Sequence, residues 1–148
     1  MTARRSLHDL APAARVGILS NGLAVGKPAI RDALLRLDAR MMKLDPGPPE
    51  RANGLRYDAE RLVMDYRALK PYTIQAMVVR GTDWNGASEA SLGAWLPLLA
   101  AADPDAVQLY SLDRPPADPR LQHVSRERLL AMASAIREVL PRCAVDVF

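Results

Sequence analysis

The stretch that decides the fold class is Tyr72-Thr-Ile-Gln-Ala-Met-Val-Val79, which is followed closely by Gly81. β-Branched and aromatic residues are enriched in it and Gly81 is a strand stop, so the stretch predicts a β-strand. Within it, Gln75 alternates with the apolar Ile74 and its neighbours at a period of two residues. Because successive side chains of a strand point to opposite faces, one face of the predicted sheet is polar and the other packs under helices.

The same kind of unit recurs on both sides of this strand. Further strands are predicted at Val16–Ser20, Met41–Asp45, Ala106–Leu112 and Cys143–Phe148. Amphipathic helices are predicted between the strands, beginning near Pro28, at Asp58, near Gly86–Ser88 and at Ser125. The Pro/Gly-rich residues 46–57 predict an irregular loop, and Pro97 is expected to kink or end the third helix. Strands that alternate with helices, without hairpins, indicate parallel strands joined by right-handed crossovers.

The polar residues of the strands distinguish two parallel architectures. Strands of an open sheet covered by helices on both faces are continuously apolar, whereas three strands here are half polar. One face is predicted to carry Lys43, Asp45, Gln75, Met77, Gln108 and Tyr110, and the other Leu44, Ile74, Ala76, Val78, Val107 and Leu109. We therefore expect an α/β fold in the form of a partial (β/α) barrel, with about five parallel strands and helices on the outer face.

Composition narrows the class of protein. The 148 residues are 49% hydrophobic and 25% charged, which is typical of one globular domain, here residues 1–148. The net charge of +3 is dispersed and aromatic residues make up 5%, a pattern unlike that of a dedicated nucleic-acid surface. The single cysteine, Cys143, excludes an internal disulfide, a cysteine-based zinc site and a self-contained iron–sulfur cluster. No apolar run approaches the ~20 residues of a membrane helix, so a cytoplasmic location is expected.

Four runs occur in order along the chain: Ile18-Leu-Ser-Asn-Gly22, Met42-Lys-Leu-Asp-Pro-Gly47, Ile74-Gln-Ala-Met-Val-Val-Arg-Gly81 and Gln108-Leu-Tyr-Ser-Leu-Asp-Arg-Pro-Pro116. Together they resemble strands three to six of the radical S-adenosylmethionine (SAM) barrel, in the subgroup of wyosine-synthase-type and related proteins. The resemblance covers roughly residues 14–140. The family's CxxxCxxC and Gly-Gly-Glu-type motifs have no counterpart, and residues 1–14 resemble the tail of the helix before the third strand. The resemblance thus implies a truncated barrel that keeps the adenosine and substrate side, and a 4Fe–4S cluster in full-length relatives but not here.

The resemblance also implies which residues lie near ligands. SAM, bound weakly or not at all by this chain, would contact Ser20, Asn21, Lys43, Asp45, Gln75 and Arg80, and the unidentified small-molecule or RNA substrate would contact Asn85, Gln108, Tyr110 and Arg114. No residue is assigned a catalytic or metal-binding role. Self-association, or pairing with a complementary N-terminal half, is expected to complete the barrel.

Other interpretations of the same residues stay open. Ser20-Asn-Gly22 is equally compatible with a simple turn, and Arg80 with a surface salt bridge. Lys43 and Asp45 are predicted to form an ion pair that lines a cavity on the polar face of the sheet. A further possibility is that Lys43 is the Schiff-base lysine of an unrelated (β/α)-barrel lyase. We interpret His8 and His123 as exposed and Cys143 as a small core residue. A non-catalytic binding module, or a subunit that completes its barrel with a partner chain, is the alternative function.

Overall fold

The computed structural model describes residues 9–52 and 54–148 of the chain. In these residues the strands are β1 (Gly17–Ser20), β2 (Ala39–Lys43), β3 (Thr73–Met77), β4 (Ala106–Tyr110) and β5 (Ala144–Val147). The helices are α1 (Pro28–Leu35), α2 (Pro49–Ala52), α3 (Ala59–Arg67), α4 (Glu89–Ala102) and α5 (Arg126–Val139).

The strands form one sheet in the order β1-β2-β3-β4-β5, and every neighbouring pair is parallel. The predicted α/β fold with five parallel strands and intervening helices is therefore confirmed. Doubly wound sheets reverse their strand order at a switch point, and this sheet has no reversal. Strand order that follows the sequence is also the order of a (β/α) barrel. Within the described residues β1 and β5 do not pair with each other, so the sheet has two edges.

The two faces of the sheet differ as the period-two pattern predicts. Residues in register across the middle strands share a face, and one such row is Met42, Ile74, Val107 and Val145, all buried. The next row is Lys43, Gln75, Gln108 and Asp146, all at least partly exposed. The buried face packs against apolar side chains of α3, α4 and α5, which include Leu62, Trp95 and Met132. Among residues 9–52 and 54–148, helices therefore cover one face of the sheet and leave the polar face open; we call it the open face.

The long helices begin where side chains can cap them. Asp58 accepts a hydrogen bond from the backbone N–H of Arg61, and Ser88 and Ser125 cap α4 and α5 in the same way. These contacts satisfy N–H groups that have no partner inside the helix. The helix starts predicted at Asp58, near Ser88 and at Ser125 are thereby confirmed.

Three local features differ from the sequence-based expectations. Helix α4 continues through Pro97 to Ala102, so the proline does not end it. Pro97 has no backbone N–H to donate to the carbonyl of Gly93, four positions earlier. Both residues are exposed, so water can satisfy that carbonyl. The predicted loop 46–57 contains the single helical turn α2. Strand β2 ends at Lys43 rather than Asp45, because the next contact with β3 is made by the side chain of Asp45 and not by the backbone.

Tyr66 of α3 joins the carboxyl ends of the first two strands. Its ring is fully buried, and its Oη lies 2.8 Å from the carbonyl oxygens of Asn21 and of Lys43. Burial raises the pKa of the Tyr66 hydroxyl, so the group stays protonated and remains a donor. Gly22 packs directly on this ring with a φ of 69°, in the left-handed region that favours glycine. The end of β1 is thus shaped around one tyrosine.

Two glycines with similar backbone conformations separate the effect of this packing from that of backbone strain. A Cβ at Gly22 would lie 2.2 Å from Cε1 of Tyr66, whereas a Cβ at Gly54, where φ is 73°, would have no neighbour within 4 Å. We expect Gly54→Ala to lower the free energy of unfolding by about 1–2 kcal/mol, the cost of left-handed backbone. Gly22→Ala should cost at least about 2 kcal/mol more, because the ring must also move. Equal losses in urea unfolding would contradict the described contact.

Candidate functional site

The candidate site lies on the open face, at the carboxyl ends of β2, β3 and β4. The Nζ of Lys43 is 2.9 Å from Oδ1 of Asp45 and donates a hydrogen bond of 2.8 Å to Oη of Tyr110. Because Lys43 is on β2 and Tyr110 on β4, the two side chains meet across the intervening strand β3. The predicted ion pair between Lys43 and Asp45 is present.

Asp45 is the buried anchor of this group. Its side chain is 4% exposed, and Oδ1 accepts a hydrogen bond of 2.7 Å from the backbone N–H of Met77. The backbone register of β2 with β3 ends one step earlier, at Lys43 and Gln75. A carboxylate oxygen therefore takes the place of a strand carbonyl, and this is why β2 ends at Lys43 and not at Asp45. The buried charge has both an ionic partner and a hydrogen-bond donor, as a buried carboxylate requires.

Two amide side chains lie beside this group. Nε2 of Gln75 donates to Oε1 of Gln108 at 3.3 Å, which leaves the other amide atoms of the pair for further hydrogen bonds. Both glutamines line a cavity of about 850 Å³ on the open face. The remaining lining residues are Tyr110, Ser111, Leu112, Asp113, Arg114, His123 and Phe148. This open-face cavity is large enough for a small-molecule ligand.

Arg80 and Asn85 do not line the open-face cavity with Gln75 and Gln108, although the resemblance implies shared ligands for these residues. They line a neighbouring depression of about 330 Å³ with Ala87, His123, Val124, Ser125 and Arg128. The reason is that β3 ends at Met77, and the backbone of Arg80 then pairs with Asn85 and Gln122. Among the described residues Arg80 has no ion pair, so the predicted surface salt bridge is not formed. His123 lines both cavities and is exposed, as predicted, whereas His8 lies outside the described residues.

Ser20 and Asn21 are not brought to the open face. Ser20 is in register with Met42, whose side chain is buried under the helices. Its Oγ accepts a hydrogen bond of 3.1 Å from the N–H of Gly22, and Oδ1 of Asn21 accepts one of 3.3 Å from the N–H of Leu23. These contacts are those of a turn, which was the alternative interpretation of this motif. Arg114, in contrast, is exposed at the open-face cavity, as expected of the loop Asp113–Pro116.

Sequence reasoning missed Ser111 and Arg128. The Oγ of Ser111 donates to the carbonyl of Val78 and accepts from the N–H of Val124, so it fastens the loop after β4 to the end of β3. Arg128 donates from Nε to the carbonyl of Ala87 at 2.7 Å, which brings α5 to the loop after β3. No local pattern reveals either role, because each contact joins residues more than ten positions apart.

Two side chains of the described residues are candidate nucleophiles, Lys43 and Cys143. The Nζ of Lys43 is already engaged by the carboxylate of Asp45 and the phenol of Tyr110, whereas a Schiff-base lysine must be free to attack a carbonyl. Cys143 is half-buried and packs against the core, and burial together with Asp105 raises the pKa of its thiol to about 11. A thiol in that state is a poor nucleophile. The described residues contain no group of three or more His, Cys, Asp or Glu side chains arranged to hold a metal ion.

Comparison with known proteins yields no match. No family model matches the chain, and no significant match is found to a curated protein or to a solved structure. Among the helices of residues 9–52 and 54–148, none has the length and apolar character needed to cross a membrane.

The Lys43–Asp45 pair can be tested by a double-mutant cycle. Lys43→Met leaves the Asp45 carboxylate buried without its cation, and we expect a loss of about 2–3 kcal/mol in the free energy of unfolding. In Lys43→Met/Asp45→Asn a neutral amide can still accept from Met77, so the double variant should recover to within about 1 kcal/mol of wild type. Lys70→Met is the control, because it removes an exposed ion pair with Asp103 and should cost under about 0.5 kcal/mol. In denaturant titrations, a double variant that loses as much stability as Lys43→Met, or more, would contradict the coupling.

Proposed function

We propose that this chain is a ligand-binding portion of a radical SAM-like (β/α) barrel that retains the adenosine and substrate side of the site. The observation that carries the proposal is the row of polar side chains on the open face, at the carboxyl ends of parallel strands. Ligands of (β/α) barrels bind at that end. The face combines the Gln75–Gln108 amide pair with the phenol of Tyr110, groups suited to a polar heterocycle.

The chain is proposed to be non-catalytic alone. Reductive cleavage of SAM requires a 4Fe–4S cluster, and such clusters are held by several cysteine thiolates. The sequence contains one cysteine, Cys143, which packs against the core near β5. A single cysteine does not fit such a cluster, so no radical step is proposed for this chain. A cytoplasmic location is proposed with this function.

The residues have distinct proposed roles in ligand binding. Gln75 and Gln108 would hydrogen-bond the edge of an adenine ring, and Tyr110 would contact its face or the ribose. Lys43 and Asp45 hold Tyr110 and the end of β2 in place rather than contacting the ligand first, because their charges already satisfy each other. Arg114 at the mouth is suited to an anionic part of the substrate. Ser20 and Asn21 have no proposed ligand role, since both serve the turn after β1.

Binding of adenosine and of SAM by calorimetry tests this function. We expect weak binding, with a Kd of about 0.1–1 mM, because half of the family's site has no counterpart in the sequence. Gln108→Leu should weaken binding about tenfold, since a buried polar group of the ligand would lose its partner. Gln122→Leu is the matched control, because that side chain lines neither cavity, and it should change Kd less than about twofold. Absence of binding by the wild type, or equal effects of both variants, would refute the proposal.

The alternative function, a subunit that completes its barrel with another chain, is favoured by the first edge of the sheet. Strand β1 pairs only with β2 among the described residues, and Leu19, on the open face, is 50% exposed. An unpaired strand edge is a template for pairing with another chain.

Light scattering on the purified chain tests this association. We expect a concentration-dependent dimer, and Leu19→Lys should shift it toward monomer because the charge would be buried at the new interface. Leu130→Lys is the control: Leu130 is 45% exposed on α5, away from the strand edge, and its substitution should leave the mass unchanged. A monodisperse wild-type monomer at high concentration would exclude this alternative.

A further inference from the structure

The depression beside the open-face cavity has the composition of an anion site. We propose that the side chains of Arg80, Asn85, His123 and Arg128, together with the amino end of α5, bind the phosphate group of a phosphorylated small molecule. This inference is independent of the adenosine-side proposal, because it concerns the neighbouring cavity and different side chains.

Arg80 supplies a free cation. The backbone N–H of Arg80 donates to the carbonyl of Gln122 at 3.2 Å, and the N–H of Gln122 donates to the carbonyl of Arg80 at 2.8 Å, so the backbone of Arg80 is fixed. Its guanidinium is exposed and makes no hydrogen bond or ion pair with the residues that the structure describes. A guanidinium that is anchored at its backbone and unpaired at its head is suited to bidentate binding of phosphate oxygens.

Arg128 supplies a second cation that is already oriented. Its Nε donates to the carbonyl of Ala87, and its Nη1 lies 2.7 Å from Oε1 of Glu89. Its Nη2 is buried, with no hydrogen-bond partner among the described residues. Buried donors without partners are rare in folded proteins and need an explanation. A phosphate in the depression that Arg128 lines would place negative charge beside this donor.

The remaining groups around the depression are also donors. Oδ1 of Asn85 accepts from the N–H of Ala87, which turns the Nδ2 amide group outward as a donor. Helix α5 begins at the wall of the depression, and Ser125 caps only the N–H of Arg128. The N–H groups of Arg126 and Glu127 are therefore uncapped, and the helix dipole favours an anion there. His123 adds an imidazole to the wall.

The number of donors indicates a phosphate rather than a carboxylate. The guanidinium of Arg80 can by itself engage both oxygens of a carboxylate, so the Asn85 amide, the His123 imidazole and the uncapped N–H groups of α5 call for the further oxygens of a phosphate. Glu89 opposes this charge, but it is 82% exposed and is already paired with Arg128. The shared wall residue His123 places the depression next to the open-face cavity. A phosphate monoester whose uncharged part extends toward that cavity is the ligand class that fits.

Inorganic phosphate is the probe, titrated at constant ionic strength and followed by ¹H–¹⁵N NMR. We expect saturable shifts at the backbone amides of Asn85, Ser125, Arg126 and Glu127, and at least tenfold weaker binding of acetate at the same amides. Arg80→Gln should weaken phosphate binding about tenfold, the effect of losing a charge-assisted bidentate contact. Because the exposed Arg80 side chain makes no hydrogen bond or ion pair within the described part of the chain, this variant should unfold at the wild-type temperature.

Arg36→Gln is the matched control, since Arg36 is exposed at the carboxyl end of α1, does not line the depression, and its side chain makes no hydrogen bond or ion pair with the described residues. It should leave the Kd for phosphate within about twofold. Arg128→Lys, which keeps the charge but loses the planar fork, should weaken binding as well. Shifts scattered over exposed arginines, equal binding of acetate and phosphate, or unchanged affinity in both the Arg80 and the Arg128 variant would each overturn the proposal. Failure of adenosine to bind would bear only on the open-face cavity.

Discussion

The strands of the sheet lie side by side in the order of the sequence, without a reversal, and most other features of the molecule follow from this constraint. When each parallel strand is added beside the previous one, right-handed crossovers return every helix to the same face. The apolar side chains of α3, α4 and α5 therefore cover Ile74, Val107 and their row. Within the described residues the opposite face receives no helix, and its strands carry residues that tolerate water. A doubly wound sheet would have buried Gln75 and Gln108 without enough partners.

The open face is nevertheless ordered, because its polar groups satisfy one another. Asp45 accepts from the backbone of β3 and pairs with Lys43, and Lys43 reaches Tyr110 on β4, so three strands are joined by two side-chain contacts and one backbone contact. On the covered side, Tyr66 performs the corresponding task for β1 and β2. The carboxyl edge of the sheet is thus held from both faces. A pre-ordered polar edge reduces the entropy that a ligand would have to remove on binding.

The regular part of this architecture could be predicted from the sequence, and the irregular part could not. The period of two placed Gln75, Gln108 and Tyr110 on one face correctly, because inside a strand the face follows from the position alone. Beyond the strand ends that rule no longer applies, so Arg80 lies in a different cavity. Ser20 is the last residue of β1 and faces the helices, as its register with Met42 requires; its expected place near SAM came from the resemblance and not from the period. Arg128 escaped notice because its partner Ala87 is 41 positions away along the chain. The resemblance to radical SAM proteins rests on short motifs and remains a proposal.

The sequential order of the strands also affects how the molecule should fold and open. Each strand of the described sheet pairs only with the strands next to it in sequence, so pairing contacts never skip a unit. Such a chain resembles a repeat protein, in which stability is passed between neighbouring units and nucleation can begin at any well-packed pair. Strands β3 and β4 share the longest register, from Thr73 with Ala106 to Met77 with Tyr110. Opening should therefore start at β1 and β5 and move inward, with amide protons of β3 the slowest to exchange.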